Sequence, residues 1–292
     1  MQNILSFRFC DTNSKTISDD IGTIFPDWGA DENICVMSPH DDDAVIGAGY
    51  AMLAARQAGA NVYVFIFCRG DAGYSSLEEK ETIEQTRMAE TLECYAHLGI
   101  PHKNILRLGF GDFSAIGRIG WTTAANAEGD MPRMLRFFRE NKITRVLVPN
   151  HYREHIDHLA AHIMASYNAP QAGDPILVDY GKPHTVRSFL EYSVWADFDP
   201  EDALVNKRDT SVRANRIIIA SGIAEDQIAE AIREYRSQEQ IISDLIRQRS
   251  ERKLKDGRGI EAYIAFDPRP KISFSPYIKF IGQIDSECHV NE

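Results

Sequence analysis

Ser38-Pro39-His40-Asp41-Asp42-Asp43 places an imidazole and three carboxylates directly behind the apolar run Ile34-Cys35-Val36-Met37 and directly before Ala44-Val45-Ile46-Gly47. Charges at the end of a buried strand are costly unless something binds them, and a metal cation is the direct candidate. The same acids also suit the first turn of a helix, where they complement its dipole. A second dense cluster, His155-Ile156-Asp157-His158, is followed by His162, and four of the nine histidines fall between residues 151 and 162. With a helix starting near Ile156, His158 and His162 share a face at i and i+4, and His155 sits at the loop-to-helix junction. Helical pairs at that spacing can chelate zinc, although the His-Glu-x-x-His peptidase pattern is absent. A chance group of surface histidines is the plain alternative.

The two clusters together have the makings of a mononuclear zinc site. Catalytic zinc takes about three His and carboxylate ligands and keeps an open position for water. His40, Asp43 and one histidine of the second cluster meet that count. Asp42 is then free to act as general base on the metal-bound water, and Asp157 can hold an imidazole such as that of His155 in one tautomer. Zn2+ is the expected cofactor, with another divalent transition metal admissible. Gly47-x-Gly49 is only part of a dinucleotide fingerprint, and the acids before it would repel a pyrophosphate. Cys68 reads as a buried structural thiol in preference to a nucleophile.

The elements that must position these groups follow from periodicity. Strands are expected near 34–38, 61–68, 105–108 and 145–149, and helices near 44–58, 77–98 and 131–141. Strands alternating with helices imply a mainly parallel sheet, and ligands bind such sheets outside the carboxyl ends of the strands. His40–Asp43, Arg69–Asp71, Asp112 and His151–His158 each follow a strand and so should face one crevice. Further on, strands are expected at 186–195 and 215–221, one helix over 224–249, and another strand near 272–280. Residues 1–33 read as irregular surface chain, and 113–130 and 171–183 as loops. No repeat or linker is evident, so residues 1–292 are expected to form a single α/β domain, with a motif-bearing core at 34–165 and an extension at 166–292 that completes it.

Composition narrows the function classes. A formal net charge of −11 argues against nucleic acid or an anionic membrane surface as partner. No apolar run approaches the roughly 20 residues of a membrane-spanning helix, and residues 1–10 lack the pattern of a signal peptide, so a cytoplasmic location is expected. Five cysteines without a Cys-x-x-Cys pair suit reduced thiols.

His40-Asp41-Asp42-Asp43 resembles the His-x-Asp-Asp signature of the PIG-L/LmbE-like N-acetylglucosaminyl deacetylases, and His155-Ile156-Asp157-His158 is similar to their His-Pro-Asp-His. Arg69-Gly70-Asp71-Ala72-Gly73, Arg87-x-x-Glu90 before Leu98-Gly99, and Tyr235-Arg236-Ser237-Gln238 also look like family features. The resemblance covers 34–162 well and 215–266 loosely. It implies a Rossmann-like fold, with His40, Asp43 and His158 as zinc ligands and Asp42 as general base. It further implies His155 as the residue that stabilises the tetrahedral oxyanion, Asp157 as its partner, and Arg69 and Asp112 as sugar contacts. From the residues alone, Arg69 and Asp112 read equally well as a local ion pair and a turn-shaping acid. Asp41 and Ile156 stand where the family usually has proline, and Asp41 has no evident task.

The expected function is zinc-dependent removal of an N-acetyl group from an N-acetylglucosamine-type amino sugar or its conjugate. The expected partner is that small molecule, with a homo-oligomer allowed. A metal-dependent phosphohydrolase is the enzymatic alternative, since successive aspartates can hold Mg2+. A catalytically silent carbohydrate-binding protein on the same fold is the other.

Overall fold

A computed structural model describes residues 5–122, 129–152, 154–195, 214–271 and 273–289. The chain runs β1 (Phe7–Asp11), β2 (Thr16–Ser18), β3 (Asn33–Ser38), α1 (Asp43–Gln57), β4 (Asn61–Cys68), α2 (Ile83–His97), β5 (Ile105–Phe110), α3 (Asp130–Glu140) and β6 (Arg145–Pro149). It continues through α4 (Ile156–Asn168), β7 (Ser188–Tyr192), β8 (Arg216–Ala220), α5 (Gly222–Ile232), α6 (Glu239–Glu251), β9 (Gly259–Phe266) and α7 (Ser275–His289).

All nine strands join one sheet in the order β2-β1-β8-β9-β7-β6-β3-β4-β5. From β5 to β7 neighbouring strands are parallel, and from β7 to β2 they are antiparallel. The expected parallel α/β core is therefore present and carries an antiparallel flank. The strands of the core are apolar because both their faces are covered. In β4, Val62, Val64 and Ile66 pack beneath α1, α2 and α5, while Phe65 and Phe67 point to the side of α3 and α4. Each such fully buried side chain contributes about 1.5–3 kcal/mol.

β3 has β4 on one side and β6 on the other, so the chain order reverses across it. That reversal opens a crevice at the carboxyl ends of β3 and β6, the two strands that lead into the histidine clusters. α1 is built of small residues and is buried from Asp43 to Ala55, which lets it lie close against the sheet. It bends at Ala48 (φ −134°, ψ 23°), and side chains from elsewhere serve the freed backbone groups. Arg249 donates to the Ile46 carbonyl, and Glu261 accepts from the Tyr50 amide at 2.8 Å.

Several expectations need correction. The first 33 residues are not irregular throughout, because β1 and β2 add to the sheet edge through β8. The helix expected from residue 77 begins at Ile83. The single helix expected over 224–249 is two, α5 and α6. The break turns Tyr235 inward to donate to the Asp41 carbonyl at 2.6 Å, and it exposes Ser237 N and Oγ to Glu90 at 2.8 and 2.7 Å. The tail near 272–280 is helical from Ser275, with Ile272 outside the described residues. β9 was not anticipated. The loops expected at 113–130 and 171–183 contain short 3-10 turns at Ala115–Arg118, Ala169–Gly173 and Val178–Tyr180, and 123–128 lie outside the described residues. No helix among the described residues is long and apolar enough to cross a membrane.

Candidate active site

The crevice holds a cleft of about 230 Å³ whose lining includes His40, Asp42, Asp43, Arg87, Asp112, Phe113, His155 and Trp195. His40, Asp43 and His158 converge there, although they come from the β3–α1 turn and from α4. One Asp43 oxygen, Oδ2, lies 3.1 Å from His40 Nδ1 and 3.2 Å from His158 Nε2. One ligand atom from each of the three lies within 4.8 Å of the others. Asp43 Oδ2 also accepts from the His40 backbone N–H at 2.8 Å, which closes the turn into α1.

The donors suit a metal ion on two observations. His158 Nε2 is buried and, although only 3.2 Å from Asp43 Oδ2, makes no hydrogen bond of acceptable geometry. The other nitrogen of each ring is held by a carboxylate, the arrangement that fixes the tautomer of a ligating histidine. His158 Nδ1 lies 2.6 Å from Glu154 Oε2, and His40 Nε2 lies 3.3 Å from Asp157 Oδ2. Two imidazoles and a carboxylate are a donor set for zinc or a similar divalent transition metal. Without a cation the site uses protons instead. Burial alone would lower His158, yet Asp43 and Glu154 carry it up to about 9, while His158 and His40 hold Asp43 well below the usual carboxylate range against its burial. Binding a metal must therefore release protons.

Asp42 caps α1 without a side-chain bond to the helix, so its carboxylate is free to face the cleft. Arg87 Nη2 stands 3.3 Å from its Oδ1. His155 caps α4, and its Nδ1 accepts from the Asp157 amide at 3.2 Å. Burial and the neighbouring His40 lower its pKa. A neutral His155 that accepts at Nδ1 carries its proton on Nε2. Asp157 Oδ2 is 3.5 Å from His155 Nδ1, and the same carboxylate accepts the backbone amides of Phe113 and Ala115 at 2.6 and 3.0 Å. Burial would raise the Asp157 pKa, but the bond from His40 and the amides of Ala115 and Phe113 prevail and hold it at about 2.

Arg69 and Asp112 are placed differently. Arg69 is half-exposed and gives Nε and Nη2 to Asp71 at 2.9 and 2.8 Å. Asp112 lines the cleft, but its two oxygens accept the amides of Gly70 and Ala72 at 2.9 and 3.0 Å, which shapes the 69–73 turn. Cys68 is buried, and that burial pushes its thiol up to about 12, which suits a structural role. Asp41 is fully buried and bridges Arg87 (3.1 Å) and Arg107, so it holds the turn together and offers nothing to the cleft.

Sequence reasoning missed three contributors. Glu154 could have been found from its i, i+4 spacing to His158. Phe113, exposed and left-handed at φ +64°, rests on His155 at a ring-centroid distance of 4.5 Å, a strained position for a non-glycine residue. Trp195 follows β7 and walls the opposite rim, a placement that only the strand order reveals.

Solved structures share this fold. N,N'-diacetylchitobiose deacetylase from Pyrococcus horikoshii aligns with a TM-score of 0.62 and 19% identity, over 81% of this chain and 84% of that one. GalB, the 4-carboxy-2-hydroxymuconate hydratase of Pseudomonas putida, aligns at 0.61 and 17%, over 83% and 99%. The zinc-inhibited form of a teicoplanin deacetylase aligns at 0.52 and 16%, over 80% and 99%. No curated protein sequence matches the chain. The model of the PIG-L family, described as GlcNAc-PI de-N-acetylase, matches residues 35–167, a span that begins in β3 and ends in α4. The chain thus matches the PIG-L family model over residues 35–167, the stretch that carries both histidine clusters.

Proposed function

We propose that the protein hydrolyses the N-acetyl group of an N-acetylglucosamine-type amino sugar or its conjugate, using zinc or another divalent transition metal held by His40, Asp43 and His158. The observation that carries this reading is the division of labour in the cleft. Three donors face one point while a separate carboxylate, Asp42, and a separate imidazole, His155, stand beside it. The PIG-L match and the deacetylases of like fold support it.

A divalent ion at that point would polarise the amide carbonyl and lower the pKa of a water molecule. Asp42 accepts the proton of the attacking water as the carbon–oxygen bond forms. Arg87 keeps the Asp42 carboxylate oriented. His155 offers Nε2–H to the oxygen on which negative charge develops, and one well-placed donor of this kind contributes about 3 kcal/mol. Asp157 orients that imidazole through its backbone amide and holds His40 through its carboxylate. When the carbon–nitrogen bond breaks, the leaving amine takes the proton from Asp42, and acetate and the free amino sugar depart. Phe113 and Trp195 give the cleft apolar walls suited to a sugar face.

Asp42→Asn tests the assignment. Its metal content should equal that of the wild type, while acetate release from N-acetylglucosamine conjugates falls by about 10²–10⁴. Undiminished release would refute Asp42 as the base. A likeness to a hydratase gives a second reading, addition of water to an activated double bond. Assay of an unsaturated hydroxy acid beside the acetylated sugars separates the two by product.

A further inference from the structure

Two histidines of the 151–162 cluster lie outside the site just described. The rings of His151 and His162 face each other at a centroid distance of 4.3 Å and 42° between planes. Glu191, from β7, completes the group: its Oε1 is 2.9 Å from His151 Nδ1 and 4.0 Å from His162 Nδ1. One ligand atom from each of the three lies within 4.8 Å of the others. The Glu191 side chain is 6% exposed, and no lysine or arginine among the described residues pairs with it. A buried carboxylate calls for positive charge beside it, which either a proton on His151 or a bound cation can supply.

His162 is prepared in the way a ligand is. Its Nδ1, the atom 4.0 Å from Glu191, donates to the Pro149 carbonyl at 3.0 Å, so Nε2 is the nitrogen left to ligate. Its plane is set by stacking on Phe266, 5.8 Å away at 19°. His151, by contrast, is half-exposed, so the group is open to solvent on one side, where water can complete a coordination sphere.

We propose that His151, His162 and Glu191 bind a second divalent metal ion of the zinc class, separate from the His40–Asp43–His158 set. The ion ties three elements together: the segment between β6 and α4 through His151, α4 through His162, and β7 through Glu191. That segment also carries Glu154 and His155, so the second ion acts as a staple that holds the wall of the cleft against the sheet.

The metal-depleted full-length chain, titrated with Co2+, tests this by elemental analysis and by the visible absorption of the bound ion. His151→Asn should bind one equivalent fewer than the wild type, and Glu191→Gln should show the same deficit. His102→Asn, an exposed histidine far from both groups in sequence, should bind as many as the wild type. His151 is half-exposed, so its replacement leaves the fold intact, which circular dichroism verifies. Saturating Zn2+ should also raise the melting temperature of wild type more than that of His151→Asn. If His151→Asn binds the wild-type number of equivalents, the second site does not exist. The readout is a difference between chains, so it stands whether or not the first donor set binds metal and whatever the reaction proves to be.

Discussion

Asp41 shows what a residue type can and cannot disclose. In sequence it is a third acid beside two that face the cleft; in the fold it is the anion between two guanidiniums. Burial raises its pKa, and Arg87 and Arg107 oppose that rise, while Tyr95 and Tyr235 donate to its carbonyl at 3.0 and 2.6 Å. Its partners stand far along the chain, on α2 and β5, which is why spacing gave no hint of them. The residues whose task needs only local geometry were legible: His40 and Asp43 are three apart and meet across one turn, and His155 and His158 share the start of α4. Asp41→Asn removes the charge and leaves two arginines without it. Breaking a buried ion pair in this way costs about 3–5 kcal/mol. Urea denaturation should show a loss of that order, and a variant as stable as wild type would mean that Asp41 is dispensable to the turn.

At the scale of the element, Gly47 and Gly49 are explained by close packing, and no phosphate is needed. A Cβ on Gly47 would lie 2.3 Å from Tyr192 Cδ2 and 2.8 Å from the Ser193 carbonyl, so α1 approaches β7 as closely as only glycine allows. Tyr192 cannot simply swing away, since it is fully buried and its hydroxyl donates to the Met37 carbonyl at 2.8 Å. Gly222, at the first position of α5, has open space where a Cβ would go. The two glycines should therefore respond oppositely to alanine. Gly222→Ala should be neutral or stabilise by up to about 1 kcal/mol through helix propensity. Gly47→Ala should cost about 1–3 kcal/mol through overpacking, despite the same gain in propensity. Thermal denaturation of the pair checks this, and a stabilised Gly47→Ala would show that α1 can move. Periodicity located α1 and the parallel strands because each is long and buried. It joined α5 to α6 because their apolar spacing continues through a break made by distant partners, Asp41 and Glu90.

At the scale of the whole molecule, the antiparallel flank brings β1 and β2 from one end of the chain beside β8 and β9 from the other. No local pattern encodes such pairing, and β1 and β2 are short and partly exposed, so their alternation is weak. The end of the sheet opposite the cleft, at the starts of its central strands, is drawn together by one carboxylate. Glu32, just before β3, accepts from Arg145 Nη2 at 3.0 Å, from Arg187 Nη2 at 2.6 Å and from the Gly29 amide at 2.8 Å, and also from Thr144. It thereby joins the turn before β3 to the starts of β6 and β7. Burial would raise its pKa, but the bonds from Arg145, Thr144 and Gly29 prevail and lower it to about 2 from the ordinary 4.5. A carboxyl that is more acidic when folded stabilises the fold above its unfolded pKa and loses that contribution as the pH falls toward its folded value. The window is thus about pH 4.5 down to about 2, and the shift corresponds to roughly 3 kcal/mol. Glu32→Gln cannot ionise, so it should be less stable than wild type by about that amount at neutral pH. The gap should narrow steadily as the pH falls through that window, because wild type alone is losing the interaction. Melting curves of the two chains from pH 7 to pH 3 check this, and a gap that stays constant with pH would show that the carboxylate's charge does not hold β6 and β7 to the turn.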